Sequence, residues 1–356
     1  MTRRVLQAIA GAPQGGAEGF FTRLVTALQR AGEPQRVLIR RNSDRAESLR
    51  AAGVTVGELP FGGLFDLTTR SAFAREVAAW HPDIVLTWMS RATRLCPRGD
   101  FVHVARLGGY YDLKYYQRCD HLIGNTRAII DYAVASGWPR DRMTYLPNFV
   151  PDARAAAQPT ATGGPARDPQ RPLALALGRL HPNKGFDLLL EALAATRGVG
   201  LWIAGDGPLR SRLERRATHL GLGRRVCFLG WREDVPRLLA AADLLVCPSL
   251  REPLGNVVIE AWSAGLPVVA TASDGPAALI EHGESGILVP LPGAPGGGPQ
   301  ALADAIERVC SDDALRARLE RAGRLVYEAQ FTESIVVAGY RRFFDKVTHR
   351  CAASPG

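Results

Sequence analysis

From residue 5 onward, short apolar runs alternate with longer stretches whose apolar residues recur every three or four positions, the rhythm of strands feeding amphipathic helices. Runs over 5–10, 37–40, 54–59, 84–88, 101–105, 121–124 and 144–146 predict strands, and the patterns over 19–31, 69–80 and 127–136 predict helices between them. Strand-then-helix alternation of this kind predicts a parallel sheet with helices on both faces. The first half therefore reads as an α/β, Rossmann-like domain.

The rhythm then stops. Residues 152–171 hold Pro-Thr-Ala-Thr-Gly-Gly-Pro-Ala-Arg-Asp-Pro, where Pro and Gly oppose regular structure and no apolar residues supply a core. This is a linker. Beyond it come strands at 173–177, 200–204, 226–229, 244–247, 267–271 and 286–289, with helices at 186–196, 208–221, 235–241 and 257–264. The chain thus divides into a first domain (1–151), a linker (152–171), a second Rossmann-like domain (172–330) and a closing amphipathic helix with its tail (331–356). That helix, strongest over 331–347, carries Phe331, Tyr340, Phe343 and Phe344 and is expected to return to the first domain. Two parallel sheets facing each other would make a cleft, and ligands of such sheets bind beyond the carboxyl ends of the strands. Residues 292–299, Pro-Gly-Ala-Pro-Gly-Gly-Gly-Pro, read as a surface loop.

Composition narrows the class. The chain has 356 residues, 46% of them hydrophobic, enough for two cores. No apolar run reaches the length of a membrane span and the N-terminus lacks the pattern of a signal peptide, so a cytoplasmic protein is expected. Six cysteines without metal-ligand spacing read as reduced core thiols, and no structural metal is expected. The net charge of +9 is uneven: residues 1–150 hold 20 basic and 13 acidic side chains, whereas the remainder holds 24 and 22. Such a first half attracts anions, including the negatively charged leaflet of a membrane. Without a lysine-rich tract or zinc-finger spacing, nucleic acid is not an expected partner.

The candidate chemistry lies mostly in the second half. Glu252-Pro-Leu-Gly-Asn-Val-Val-Ile-Glu260 sets one carboxylate in a turn and another inside a helix, and the turn offers the amides of Leu254, Gly255 and Asn256 at a helix N-terminus, a place that favours phosphate. Gly178-Arg179-Leu180 and Lys184-Gly185 follow the strand 173–177. Only three of the 44 basic residues are lysines, Lys114, Lys184 and Lys346, so Lys184 stands out as a compact point charge. Two cations, free amides and two hydroxyl-accepting carboxylates describe a diphosphate joined to sugars. In the first half, Gly15 and Gly16 either let the backbone approach such a ligand or simply turn strand into helix. His103 alternates with apolar neighbours and reads as a core histidine. Tyr110, Tyr111, Tyr115 and Tyr116 around Lys114 suit a sugar, a lipid head group or helix packing.

With these motifs in place, the chain resembles the retaining glycosyltransferases of family 4, which have the GT-B fold. The resemblance runs from Gln14-Gly15-Gly16-Ala17-Glu18, through Gly178-Arg179-Leu180 with Lys184-Gly185, Gly205-Asp206-Gly207-Pro208, Phe228-Leu229-Gly230-Trp231 and the two glutamates, to Gly286-Ile287-Leu288-Val289-Pro290. It implies two facing Rossmann-like domains, with Arg179 and Lys184 on the donor diphosphate, Glu252 at the donor sugar and Glu260 on the ribose. Gly16, Gly178, Gly207, Trp231, Leu254, Gly255 and Asn256 would complete the donor site. Members often carry a histidine after the fifth strand. Here Arg106 or the Gly108-Gly109 turn would stand in its place, and Gly15, Arg106, Tyr110 and Tyr111 become acceptor-side candidates.

The expected activity is retaining, metal-independent transfer of a hexosyl unit from a nucleotide-diphosphate sugar to the hydroxyl of a glycan or glycolipid. Arg179, Lys184 and Glu252 are the catalytic candidates, with no cofactor. Envelope polysaccharide or lipopolysaccharide core assembly at the inner face of the cytoplasmic membrane fits the basic first half. A nucleotide-sugar epimerase or hydrolase of the same fold, and a noncatalytic protein binding nucleotides or anionic glycans, are the alternatives.

Overall fold

The computed structural model describes residues 3–13, 15–62, 66, 68–156, 168 and 170–352, with the side chains of 349–352 left aside. Gln14 of the glycine motif, most of the expected linker and the tail 353–356 lie outside the described residues. The chain forms two units, one of residues 1–148 with 333–356 and one of residues 149–332.

In the first unit the elements follow in the order β1 (Val5–Ile9), α1 (Gly16–Arg30), β2 (Gln35–Arg40), α2 (Ser43–Ala51), β3 (Thr55–Leu59), α3 (Thr68–Trp80), β4 (Ile84–Trp88) and α4 (Met89–Leu95). Then come β5 (Val102–Leu107), β6 (His121–Gly124), α5 (Arg127–Ala135) and β7 (Met143–Tyr145). Among the described residues these strands form one parallel sheet in the order β3-β2-β1-β4-β5-β6-β7. All five residues of β1 and all five of β4 are buried, the outcome of covering both faces of a parallel sheet. α1 packs with Phe20, Phe21, Leu24, Val25 and Leu28 inward, the stripe of an amphipathic helix.

The second unit runs α6 (Ala153–Ala156), β8 (Leu173–Leu177), α7 (Phe186–Ala195), β9 (Gly200–Ala204), α8 (Arg210–His219), β10 (Val226–Gly230), α9 (Val235–Ala241) and β11 (Leu244–Cys247). It continues with α10 (Asn256–Ala264), β12 (Val268–Thr271), α11 (Asp274–Leu279), β13 (Ile287–Val289), α12 (Pro299–Ser311) and α13 (Asp313–Gln330). Its sheet, again parallel, has the order β10-β9-β8-β11-β12-β13. In both sheets the order reverses beside the first strand, between β1 and β4 and between β8 and β11. Doubly wound sheets bind ligands at that reversal, beyond the carboxyl ends of the strands.

The last helix, α14 (Glu333–Ala352), belongs to the first unit. Arg30 pairs with Glu333 at 2.6 Å, Arg3 pairs with Asp345, and Tyr340 is fully buried.

Several expectations need correction. The expected linker is ordered at its start: α6 forms, Asp152 accepts from both terminal nitrogens of Arg324 at 2.9 and 2.7 Å, and Arg154 donates to the Ala264 carbonyl at 3.1 Å. These bonds dock 152–156 on the second unit, which begins at Phe149. Pro208 is not the first helical residue, because α8 starts at Arg210 after Leu209. Pro299 is not loop, since it opens α12 behind Gly298. The expectation of reduced thiols holds at Cys96, Cys119, Cys227, Cys247 and Cys310, which are free, but Cys227 and Cys310 are only half-buried.

Candidate functional site

The carboxyl ends of β8 and β11 carry the densest group of expected residues. Gly178, next after β8, has φ 145°, a conformation that L side chains rarely adopt, and the stem of Lys184 packs over it. Residues 182–184 make one turn of 3₁₀ helix, with His181 Nδ1 accepting from the Asn183 amide. Gly185 then adopts φ 65°, where a Cβ would fall 2.0 Å from the Pro248 carbonyl oxygen, so only glycine fits against the exit of β11. The Asn183 carbonyl accepts from the amides of Leu250 and Arg251 at 2.8 and 3.1 Å, tying the two exit loops together.

Across this junction the Lys184 ammonium forms an ion pair with the Glu252 carboxylate. The side chains are 25% and 12% exposed, so the pair is shielded yet reachable from solvent. Glu252 Oε1 also accepts from the Gly255 amide at 3.4 Å, and its carbonyl accepts from Gly275 at 2.6 Å. The expectation of three unbonded amides here is therefore corrected at Gly255, whose N–H already faces a carboxylate. Gly255 has φ 78° and caps α10, on which Asn256 is the first residue and Glu260 lies one turn on, half-buried. Leu254 is buried. A Cβ on Gly275 would strike the Leu254 backbone at 2.5 Å, which explains why the loop after β12 can close on the Glu252 turn.

Gly205 and Gly207 lock the neighbouring loop in place. A Cβ on either would meet the Gly178 or Leu180 carbonyl oxygen, at 2.0 and 2.6 Å, and the Leu180 amide donates to Asp206 at 3.0 Å. Arg179 is exposed and makes no hydrogen bond or ion pair with another described residue, so its guanidinium is available to a ligand. Trp231, after β10, is 66% exposed, an unusual state for an indole. Arg232 beside it is held by Asp234 through two hydrogen bonds of 2.8 and 2.6 Å.

The first unit places its candidates at the carboxyl ends of β1 and β5. Gly15 precedes α1 in extended backbone, and a Cβ there would meet the Glu18 carboxylate at 2.2 Å. The space beside Gly15 is thus taken by the protein's own glutamate, whereas the space beside Gly16 is open. Arg106 is 2% exposed, with its guanidinium 4.7 Å from the ring centres of both Phe20 and Trp88. It donates through Nε to the Tyr340 hydroxyl at 2.9 Å and through Nη2 to Asn148. The reading of Arg106 as an acceptor-side group is corrected: its bonds are spent in the core, where it fastens α14 to β5. Tyr110 is 41% exposed and lines a surface cavity of 570 Å³ with Lys114, Tyr132 and Trp138. Tyr111 is half-buried, stacked on Tyr116, and burial pushes its hydroxyl pKa up. His103 is a core residue as expected, 3.0 Å from the Thr87 hydroxyl, with burial pushing its pKa down to about 4.

Other groups near these loops were not among the expected site residues. The Ser273 hydroxyl, after β12, is buried and has no hydrogen-bond partner among the described residues. Glu18 and Arg45 are charged residues that are 7% exposed beside the loop after β1. Their burial depends on tertiary packing, which no local pattern records. Among the described residues no group of three His, Cys, Asp or Glu is arranged to hold a metal ion.

Comparison with known proteins gives a consistent result. Residues 160–326 match the family described as glycosyl transferases group 1, and residues 14–154 match the one described as glycosyltransferase family 4. The lipopolysaccharide core biosynthesis glycosyltransferase LpsE of Rhizobium meliloti (strain 1021) is 36% identical over 335 residues, 92% of this chain and 94% of that protein. LpsD of the same strain, with the same description, is 33% identical over 342 residues, 94% and 96% of the two chains. Anabaena Alr3699/HepE, solved in complex with UDP and glucose, shares the fold with a TM-score of 0.78 over 97% of this chain and 100% of that one, at 22% identity.

Proposed function

Because the chain belongs to the group 1 glycosyltransferases of family 4, we propose that it transfers a hexosyl unit from a nucleotide-diphosphate sugar to an acceptor hydroxyl in lipopolysaccharide core assembly, with retention and without a metal. The observation that carries this reading is the Lys184–Glu252 ion pair at the reversal of the second sheet. In the free protein each charge answers the other. An incoming diphosphate competes for Lys184, and Glu252, released, accepts hydrogen bonds from the hydroxyls of the donor sugar. Arg179, which has no partner among the described residues, adds a second cation at the diphosphate. Preorganised cations facing charge that grows on a leaving group are among the largest contributions to catalysis, and here they supply what a metal ion supplies elsewhere.

Glu260, on α10, is assigned to the ribose, and Trp231 with Gly178, Gly207, Leu254 and Asn256 to the remainder of the donor. Tyr110 and Tyr111, with Gly15, stay on the acceptor side. The close match to two lipopolysaccharide core transferases along nearly their whole length supports the acceptor class. The basic character of the first unit supports peripheral attachment to an anionic membrane surface, where such an acceptor resides.

The test is a donor panel headed by UDP-glucose, a ligand with which HepE was also solved. A donor that binds the folded protein raises its Tm, and transfer to a truncated core acceptor then gives product whose anomeric configuration is read by NMR. Lys184→Ala is expected to lower kcat/KM by about 10²–10³. Undiminished turnover in that variant, or full-rate nucleotide release without acceptor, would overturn the assignment.

A further inference from the structure

Between β8 and α7, the loop that carries Arg179 and Lys184 is anchored at both ends and open in the middle. Leu180 is fully buried, its amide donates to the Asp206 carbonyl at 3.0 Å, and its own carbonyl accepts from the Leu209 amide at 3.1 Å. At the other end Gly185 lies hard against the Pro248 carbonyl. Pro182 and Asn183, between these anchors, are exposed, so burial does not hold the turn that ends in Lys184. A single turn of 3₁₀ helix does not persist by itself, and its shape has to come from local bonds.

Those bonds are few. The Lys184 amide donates to the His181 carbonyl at 2.9 Å and the Gly185 amide to the Pro182 carbonyl at 3.2 Å, while the proline ring presets φ at the start of the turn. The remaining bond comes from a side chain: His181 Nδ1 accepts from the Asn183 amide at 3.4 Å, the pattern in which a side chain caps the amide two residues on. Asn183 is the residue that this bond orients, and its carbonyl accepts from the amides of Leu250 and Arg251, next to Glu252. The imidazole therefore acts on both partners of the Lys184–Glu252 ion pair. It caps the turn that ends in Lys184 and, through Asn183, steadies the loop that leads to Glu252.

The residue type carries a second message. Caps of this kind are usually Ser, Thr, Asp or Asn, and histidine is not among the favoured ones. An aspartate here would repel a diphosphate and draw Arg179 and Lys184 toward itself, and the segment 178–185, Gly-Arg-Leu-His-Pro-Asn-Lys-Gly, holds no acidic residue at all. An imidazole that accepts at Nδ1 is neutral and carries its hydrogen on Nε2, so it gives the turn an acceptor without a negative charge.

We propose that His181 is a positioning residue, an uncharged cap that sets Lys184 and Glu252 in register for the donor diphosphate. This inference rests on the donor chemistry proposed above. The cap itself is a property of the free protein.

Three substitutions separate geometry from charge: His181→Leu removes the acceptor, His181→Asn keeps a neutral one, and His181→Asp keeps one that is negative. Hydrogen exchange of the Asn183, Leu250 and Arg251 amides in the ligand-free protein reads the cap. Calorimetry with UDP, GDP, ADP and CDP as probes reads diphosphate binding, and steady-state kinetics with the donor that the panel identifies read the reaction. In His181→Leu the three amides should exchange about tenfold faster while β8 and β11 keep their protection, and kcat should fall about tenfold with a smaller rise in KM. His181→Asn should recover most of both losses. His181→Asp should exchange as slowly as the wild type yet bind the nucleoside diphosphate about tenfold more weakly, because a negative charge has entered the phosphate loop. His181→Ala takes the place of the leucine variant should that one fail to fold. Exchange at the wild-type rate in the variant without an acceptor would overturn the cap. Equal losses of kcat in His181→Asn and His181→Leu, with exchange restored only in the former, would overturn positioning through the cap, and undiminished diphosphate binding by His181→Asp would overturn the need for an uncharged one. A wild-type protein that binds none of the four diphosphates would instead overturn the donor reading, and the exchange data would still decide whether His181 shapes the turn.

Discussion

His103 ties the stability of the first unit to pH. Its ring is 5% exposed, touches the hydroxyl of Thr87 and the thiol of Cys119, and shares its surroundings with Asp120 and Arg118. Burial dominates, with the Asp120 charge opposing it, and the pKa falls to about 4, whereas an unfolded histidine titrates near 6.5. Between those values the unfolded chain holds more protons than the native one, so the native state loses stability as pH falls from about 6.5 through 4. The contribution is fully present above 6.5, and its loss reaches about 3 kcal/mol below pH 4. Urea unfolding at pH 7.5 and pH 5 should differ by about 2 kcal/mol more in the wild type than in His103→Gln, which keeps a donor for Thr87 but does not titrate. An equal pH slope in the two proteins would refute this. His103 was legible as a core residue because it alternates with apolar neighbours in a strand, and Lys184 was legible because lysine is so rare in this chain. Arg106 was misread, since its neighbours in sequence say nothing of the Phe20 and Trp88 rings that enclose it. Glu18 and Arg45 show the same limit: one is written in the glycine motif and the other in a polar helix, and only the fold brings them to the same loop.

α10 carries Asn256 and Glu260, so its placement against the rest of the second unit matters to the site. Trp262 anchors it: the indole is fully buried, donates to the Ser285 carbonyl at 2.9 Å and lies 6.4 Å from the Phe331 ring. α13 can pass over this ring only because residue 323 is glycine, where a Cβ would fall 2.3 Å from Trp262 Cδ1. Replacing a helical glycine by alanine normally gains about 1 kcal/mol. Overpacking a rigid core costs about 1–3 kcal/mol, and the indole is held on two sides, so the clash wins. Gly323→Ala should therefore destabilise the protein by about 1–2 kcal/mol in urea and, by displacing α10, raise the donor KM; a variant more stable than the wild type would contradict the packing described. α10 was legible from its apolar spacing and from the Pro/Gly turn before it, but α13 was not. Its 18 residues carry charge on most of their circumference and few buried side chains, Leu315, Leu319 and Tyr327 among them. α2 was hidden for the same reason, its sequence Ser-Asp-Arg-Ala-Glu-Ser-Leu-Arg-Ala having only a capping residue to announce it. The strands, buried on both faces, wrote themselves as unbroken apolar runs, which is why the two sheets emerged from the sequence nearly complete.

For the molecule as a whole, charge divides more sharply than the sequence halves suggested. Residues 149–332 hold 20 basic and 20 acidic side chains, so the second unit is neutral and the entire +9 resides in the first unit with its returning helix. Halving the chain at residue 150 hid this, because α14 lies far along the sequence yet belongs to the basic unit. Among the described residues no helix is long and apolar enough to cross a membrane. A basic field and interfacial aromatics are the groups through which a protein is drawn to an anionic lipid surface. Arg94 and Lys114 flank the Tyr115 ring at 5.2 and 4.9 Å, both exposed, and Tyr110 opens to solvent nearby in the sequence. Each basic residue close to an anionic leaflet contributes about 1 kcal/mol, which falls off within a Debye length. Replacing both Arg94 and Lys114 by alanine should therefore weaken binding to phosphatidylglycerol-containing vesicles by about 30-fold, measured by flotation, and added salt should weaken the wild type in the same direction. Because the donor candidates Lys184 and Glu252 belong to the neutral unit, the donor-induced rise in Tm should be the same in the double variant and the wild type. Equal flotation with anionic and zwitterionic vesicles would rule out electrostatic recruitment, and a lost donor response in the variant would show that its effect is on folding and not on the membrane.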